Sequence, residues 1–438
     1  MKTLIEKALK SCDQAEVNFR DVYSTTVTIL LGNIKNIESE KKTEVALRMV
    51  KDGKMGTAIA TSLEDESIIS RAIISLENQT SEASAFPNAK YEAVQSSSED
   101  VKKCTTQDLV NMAFDLSNRF KAMAEDVGFG VQIVKTLKTV KLCNSNGFDG
   151  EYDYTNVSVL TYTLSKQGFY STMKEFTNGF IPEITDEDLS RQLMFHRLGE
   201  QPVEVGNEKM PVIFSGTAMG SLMLRVLGGV SGGNITKNVS PIVGKLGEKL
   251  FSDIMTIRDD ATMPYGVNTF AFDDEGTPAQ NTVLYDKGVL KNYLTSVSHA
   301  EKLGTSPTGN AIKRTLFSKE IEDAPSVYDS NLIIEGDSQP DDDIIKGVKR
   351  GLYITGVMGA HTGNINQGEF SMNISSGFLI ENGTFKGKVK GAMIAGNIYD
   401  LFKGIEAIGT KMEPMRSIFY HMGYSPMVKF AEVNIIGK

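Results

Sequence analysis

Leu224-Arg-Val-Leu-Gly-Gly-Val-Ser-Gly-Gly-Asn234 is the stretch on which the reading of this chain turns. From Ser215 to Leu227 the apolar residues Met219, Leu222, Met223, Val226 and Leu227 recur at three- and four-residue intervals, which puts them on one face of a helix. Gly228, Gly229, Gly232 and Gly233 then end that helix in this reading. They give the backbone freedom at a helix C-terminus and leave no side chain to obstruct a neighbouring strand or an approaching ligand. The stretch is most telling for what it lacks: it holds no histidine, cysteine or carboxylate.

Around it lies a chain of 438 residues, room for two or three domains. An apolar fraction of 40% and a charged fraction of 23% match an ordinary globular protein, and exclude a disordered or fibrous one. No run of about 18 apolar residues is present to cross a membrane. The opening Met1-Lys-Thr-Leu-Ile-Glu-Lys-Ala-Leu-Lys10 mixes charge into its apolar positions, so it reads as an amphipathic helix and not a signal peptide. A net charge of -9 without a Lys/Arg stripe argues against nucleic acid as a partner. Cys12, Cys104 and Cys143 are widely spaced and form no C-x-x-C pair, so buried or incidental thiols and a cytoplasmic location are expected.

The pattern along the chain predicts an α+β protein in two parts. In residues 1–200, Ala15 to Tyr23 alternates as a half-buried strand, and Val27 to Ile37 continues the sheet. Val45 to Val50 and Met55 to Thr61 flank Asp52-Gly53, a hairpin signal. Leu63 to Leu76 and Thr106 to Ala124 read as helices, and 78–100 as a loop or mobile flap. Gly128 to Leu142 and Tyr152 to Lys174 read as strands, with a connecting helix from Asp186 to Leu198. Residues 201–438 read as a β-rich domain of antiparallel hairpins with covering helices. Its expected strands include Met210 to Phe214, Val267 to Phe272, Gly351 to Met358 and Met427 to Ile436, and Gly396 to Ile408 is expected to be a helix.

Few residues offer chemistry. His196, His299, His361 and His421 are scattered, with no two close enough in sequence to share a helix face, whereas a catalytic zinc needs about three converging ligands. Asp341-Asp342-Asp343 lacks the alternation of a calcium loop and reads as a helix start. Asp273-Asp274-Glu275 reads as a solvated turn. The glycines after the helix do not form a phosphate-binding loop, and no nucleophile-elbow motif supports Ser215 with His361. Gly359-Ala-His-Thr-Gly-Asn-Ile-Asn-Gln-Gly-Glu-Phe370 is a glycine- and asparagine-rich loop suited to lining bound peptide through its backbone.

Ser231-Gly-Gly-Asn234, Phe272-Asp-Asp-Glu-Gly276, Gly377-Phe-Leu-Ile-Glu-Asn-Gly383 and Ile394-Ala-Gly-Asn397 together resemble the TldD/PmbA peptidase family, also known as modulators of DNA gyrase, over nearly the whole chain. In that family's TldD-type subunit the helix before Asn234 carries a His-Glu-x-x-x-His zinc motif. Its histidine positions fall here on Leu224 and Gly229, and its glutamate on Arg225. The departure is similar to the PmbA or TldE branch, which lacks the zinc site. The TldD type also takes a cysteine ligand near its C-terminus, and here no cysteine follows Cys143.

The resemblance implies a cytoplasmic subunit with no catalytic residue, metal ligand or cofactor of its own. Zinc would belong to a TldD-type partner in a heterodimer that encloses an unfolded or extended peptide. Gly232, Gly233, Asn234, His361 and Glu369 are the candidate cleft residues. The alternatives are a homodimer that binds peptide or acts as a scaffold without proteolysis, and a hydrolase with a site rebuilt around His361. Neither nucleic acid nor membrane is an expected partner.

Overall fold

Alternation and turn chemistry build the first part of the molecule. The computed structural model describes residues 1–77, 84–166, 168–314, 321, 324–417 and 420–437. Strands Gln14–Leu30 and Asn33–Lys51 form one long antiparallel hairpin through Leu31 and Gly32, both at positive φ. The expected hairpin at Asp52-Gly53 is present: both residues take positive φ (49° and 72°), and Lys51 pairs with Lys54 in the Lys54–Ala60 strand. Gly128–Asn144, Asp149–Leu164 and Tyr170–Asn178 complete a six-stranded antiparallel sheet, in which Gln14–Leu30 pairs with Gly128–Asn144.

One face of this sheet is covered along its length. Val27, Ile29, Val131, Ile133, Val157 and Val159 pack against the Thr106–Met123 helix, whose Leu109, Ala113, Leu116 and Phe120 return at helical spacing. Thr105 and Asp108 start that helix with a reciprocal capping box. Phe120 stacks on Phe129 at 4.0 Å, and burying a side chain of that size contributes about 2 kcal/mol. Helices Lys2–Ala8 and Ser67–Glu77 cover Val17, Val45, Leu47 and Met49 further along.

Residues 78–83 of the expected flap lie outside the described residues. The rest, 84–98, is no flap, because its backbone is tied down. Asn144 and Asn146 donate to the carbonyls of Pro87 and Phe86 at 2.7 and 2.8 Å, and Ser96 donates to that of Asp153 at 2.6 Å.

The second part is β-rich with covering helices. Strand Arg350–Met358 pairs in parallel with Glu208–Phe214 and antiparallel with Glu369–Glu381. With Val428–Ile436 and Met393–Asn397 between them, these strands close into a ring. A second sheet holds Met255–Asp260, Asn281–Asp286, Leu332–Gly336 and His421–Ser425. The Gly216–Val230 helix contributes Met219, Leu222, Met223, Val226 and Val230 to one large core with both sheets. Ser215 caps it, accepting from the Ala218 amide at 3.2 Å.

Three expectations need correction. The long helix does not stop at Gly228: it runs on to Val230, and Gly232–Thr236 forms a short second helix. None of the four glycines has positive φ. Gly229 and Gly232 serve close approach instead, since a methyl group there would lie 2.3 Å from the Tyr399 hydroxyl and 2.8 Å from the Leu294 carbonyl. Val267 to Phe272 is irregular, held by bonds such as Asn268 to the Ser330 and His421 carbonyls, and the strand lies earlier, at Met255–Asp260. Gly396 to Ile408 is not one helix. Asn397 caps a single turn, Ile398–Leu401, and Ile405–Ile408 is a strand paired with Val428–Ile436.

Candidate functional site

The positions the resemblance singles out converge on the C-terminal end of the Gly216–Val230 helix and the loop 359–369. Arg225 is fully buried there. Its guanidinium donates to four carbonyl oxygens, those of Ser221 at 2.8 Å, Ala360 at 2.7 Å, Thr362 at 2.8 Å and Glu369 at 2.9 Å. Burial pushes this guanidinium down to about 10, so the cation persists at neutral pH. Among the described residues no carboxylate lies at ion-pair distance from it, and the carbonyl dipoles balance its charge. Arg225 thus fastens the loop to the helix.

Further bonds knit the same neighbourhood. Asn234 donates to the Gly228 carbonyl at 2.8 Å and to the Asn366 side chain at 3.1 Å. Gln367 donates to the Val239 carbonyl at 2.6 Å, and Asn397 to the Gln367 carbonyl at 2.8 Å. Two of the sequence motifs, Ser231-Gly-Gly-Asn234 and Ile394-Ala-Gly-Asn397, therefore meet the glycine- and asparagine-rich loop here. Gly232 is buried, and Gly233 packs toward His299, 3.5 Å from where a methyl group would sit. His361 and Glu369 are exposed.

The histidines do not meet. His196 bonds Thr163 at 3.0 Å, His299 bonds Ser296 at 2.7 Å, and His421 lies 3.1 Å from Glu175. Among the described residues no group of three or more His, Cys, Asp or Glu side chains is placed to hold a metal ion. Leu224 offers no donor atom and packs on the core, Gly229 has no side chain, and Arg225 brings positive charge. A zinc ion does not fit this donor set.

Asp273-Asp274-Glu275 is not a solvated turn, and this is what the sequence reading missed most completely. Asp274 is buried, with Asn18 at 2.8 Å and Arg20 at 2.7 Å on one oxygen and the Lys313 amide at 2.7 Å on the other. Burial opposes its charge, but Arg20 and Lys313 hold its carboxyl well below the usual range. Asp273 accepts from the amides of Glu275, Thr277 and Ala311, and burial pushes it well up. Arg48 joins the cluster, donating to Glu16 at 2.7 Å and to the Asp274 carbonyl at 3.1 Å. The partners lie 254 and 256 residues away in the chain, beyond any local signal. This cluster ties the first sheet to the β-rich part and borders a cavity of about 270 Å³.

Known proteins resemble this chain in sequence and in fold. Residues 207–437 match the model of the PmbA/TldA metallopeptidase C-terminal domain, and 15–77 that of PmbA/TldA metallopeptidase domain 1. A protein named metalloprotease from Methanothermobacter thermautotrophicus is 27% identical over 88% of this chain and 86% of its own length. Metalloprotease PmbA from Escherichia coli O157:H7 is 22% identical over 98% and 95%. The crystal structure of TldE from Thermococcus kodakarensis shares the fold, with a TM-score of 0.90 and 24% identity over the full length of both chains. With the matched domain covering more than half its length, this chain belongs to the PmbA/TldD metallopeptidase family.

Proposed function

We propose that this chain is the TldE-type, non-zinc-bearing subunit of a TldD/TldE-type metalloprotease, which holds unfolded or extended peptide while a TldD-type partner hydrolyses it. The observation that carries the reading is Arg225. Where the zinc-bearing subunit has its glutamate, this chain has a buried cation whose donors are committed to four carbonyls. The fold shared with a protein named TldE supports the same reading. So does a loop that is braced from several sides yet leaves Glu369 and His361 exposed.

In this reading Gly233, Asn234, His361 and Glu369 border the peptide, with Gly232 giving the backbone its close approach. The cofactor is the partner's zinc, and the location is cytoplasmic. No helix among the described residues is long and apolar enough to cross a membrane. The working units are 1–200 and 201–438, and in support no sheet among the described residues draws strands from both sides of that division.

Purification from the native host under mild conditions, with mass spectrometry of co-purifying chains, tests the reading. A stoichiometric partner carrying His-Glu-x-x-x-His is the expected result. A homodimer that binds peptide and recruits no such partner would establish the alternative.

A further inference from the structure

A second cavity, separate from the loop at Arg225, lies where the Asp186–Gly199 helix crosses from the first sheet onto the β-rich part. It encloses about 110 Å³ among residues that include Lys174, Arg191, Ser215, Tyr353, Lys411 and Glu413. A water needs about 15 Å³ of such space, so there is room for a small molecule or the end of a larger one.

Most of the charges around this cavity are paired. Lys174 pairs with Glu413, and Lys411 with Asp188 at 2.7 Å. Glu175 is taken by Arg416 at 2.9 Å and His421 at 3.1 Å, and Asp341 accepts from the Thr410 amide at 2.9 Å. Asp341 is left without a cation at ion-pair distance among the described residues, and Arg191 without a carboxylate. Its guanidinium lies 5.9 Å from the centre of the Phe195 ring and 6.0 Å from that of Tyr353, rings that stack on each other with an interplanar angle of 14°. Burial opposes its charge, but Tyr353 and the charges of Glu413 and Asp341 outweigh that and keep it protonated. A guanidinium has five N–H donors in a planar fork, so most of the fork remains available.

We propose that this cavity binds a single carboxylate on Arg191, either the C-terminus of a short peptide or a free small acid. A planar fork matches a carboxylate in two parallel hydrogen bonds. A dianion such as phosphate meets the same fork, but the four lining carboxylates Glu175, Asp188, Asp341 and Glu413 disfavour a second negative charge. The Phe195 and Tyr353 shelf gives an apolar moiety beside the carboxylate a surface to cover. The inference does not rest on the subunit role, because all of these groups belong to this chain.

Calorimetric titration of the intact chain with N-acetyl-alanyl-alanine, its C-terminal amide, propionate and inorganic phosphate tests it. The peptide acid is expected to bind, with the amide and phosphate weaker by about tenfold or more. Arg191→Gln is expected to lose binding of the acid by about the same factor while its response to the amide stays unchanged, and Arg191→Lys to retain part of it. Propionate binding as well as the peptide acid would identify a free small acid as the ligand, and peptide acid binding alone a chain terminus. Either supports the carboxylate site. Equal binding of acid and amide, no binding of either acid, phosphate binding more tightly than both acids, or an Arg191→Gln chain that binds as well as the parent would overturn it. If Arg191→Gln does not fold, the comparison of acid with amide on the unaltered chain decides alone.

Discussion

Replacing Arg225 by methionine keeps the volume of the side chain and removes the clamp between the helix and the loop 359–369. The magnitude follows from where each acceptor lies. Ala360 is fully buried, so its carbonyl loses a charged donor with no water to replace it, at about 2 kcal/mol. The Thr362 and Glu369 carbonyls lie in exposed residues and regain water, at about 0.5 kcal/mol each. The Ser221 carbonyl is part of the helix and adds little. The sum, about 3 kcal/mol, raises the opening constant of the loop about a hundredfold. Amide hydrogen exchange is the assay, because it resolves the loop from the rest of the chain. Amides in 359–369 are expected to exchange about a hundredfold faster in Arg225→Met while those of the first sheet do not change. Arg225→Lys is expected to fall between, since an ammonium cannot span acceptors arranged for a fork. Unchanged exchange across 359–369 in Arg225→Met would show that other bonds hold the loop, and would refute the assignment of Arg225 as its clamp.

Three more predictions concern stability, each read from urea unfolding. Gly229→Ala should cost about 2 kcal/mol, because its methyl meets the Tyr399 hydroxyl at 2.3 Å; adding Tyr399→Phe removes that oxygen and should recover most of the loss. Independent, additive effects would count against this contact. Burial raises Glu175, but His421 at 3.1 Å, Ser158 and Arg416 outweigh burial and hold the carboxyl down to about 2. Its contribution is therefore complete above the unfolded value near 4.5 and is lost as pH falls toward 2, so Glu175→Gln should flatten the acid limb of stability against pH. Asp329 behaves oppositely: burial, against Arg314 and together with Asp259, pushes it up to about 7, so the folded chain keeps a proton that the unfolded chain has released. Stability should fall as pH rises from about 4 to about 7, and Asp329→Asn should remove part of that fall. An unchanged slope would place the proton elsewhere.

What could be read from the sequence depended on how local the cause was. The Asp52-Gly53 hairpin, the helix capped by Thr105 and the alternation of the first sheet follow from neighbouring residues, and they match the structure closely. That Leu224, Arg225 and Gly229 are not zinc-ligand residue types is read from the sequence alone. What Arg225 does instead was not legible, because the loop carbonyls it holds lie 135 to 144 residues away. Glycine misled for a related reason. The same residue serves a left-handed turn and a close approach; none of Gly228, Gly229, Gly232 and Gly233 serves the first, and Gly229 and Gly232 serve the second. At Gly396 to Ile408 a helical spacing arose by accident from one helical turn followed by a strand, both apolar because both are buried. Asp274 shows the limit most clearly, for an acidic turn and a buried ion cluster look alike until the strand carrying Arg20 is folded against it.

On the proposed subunit role, this chain carries no zinc of its own. The most direct test is metal analysis and a peptidase assay on the purified chain alone, after incubation with excess zinc and removal of the unbound metal. No stoichiometric zinc and no cleavage are expected until a TldD-type partner is added, after which cleavage appears and is lost to chelator. One zinc bound per chain, with chelator-sensitive cleavage by this chain alone, would contradict it.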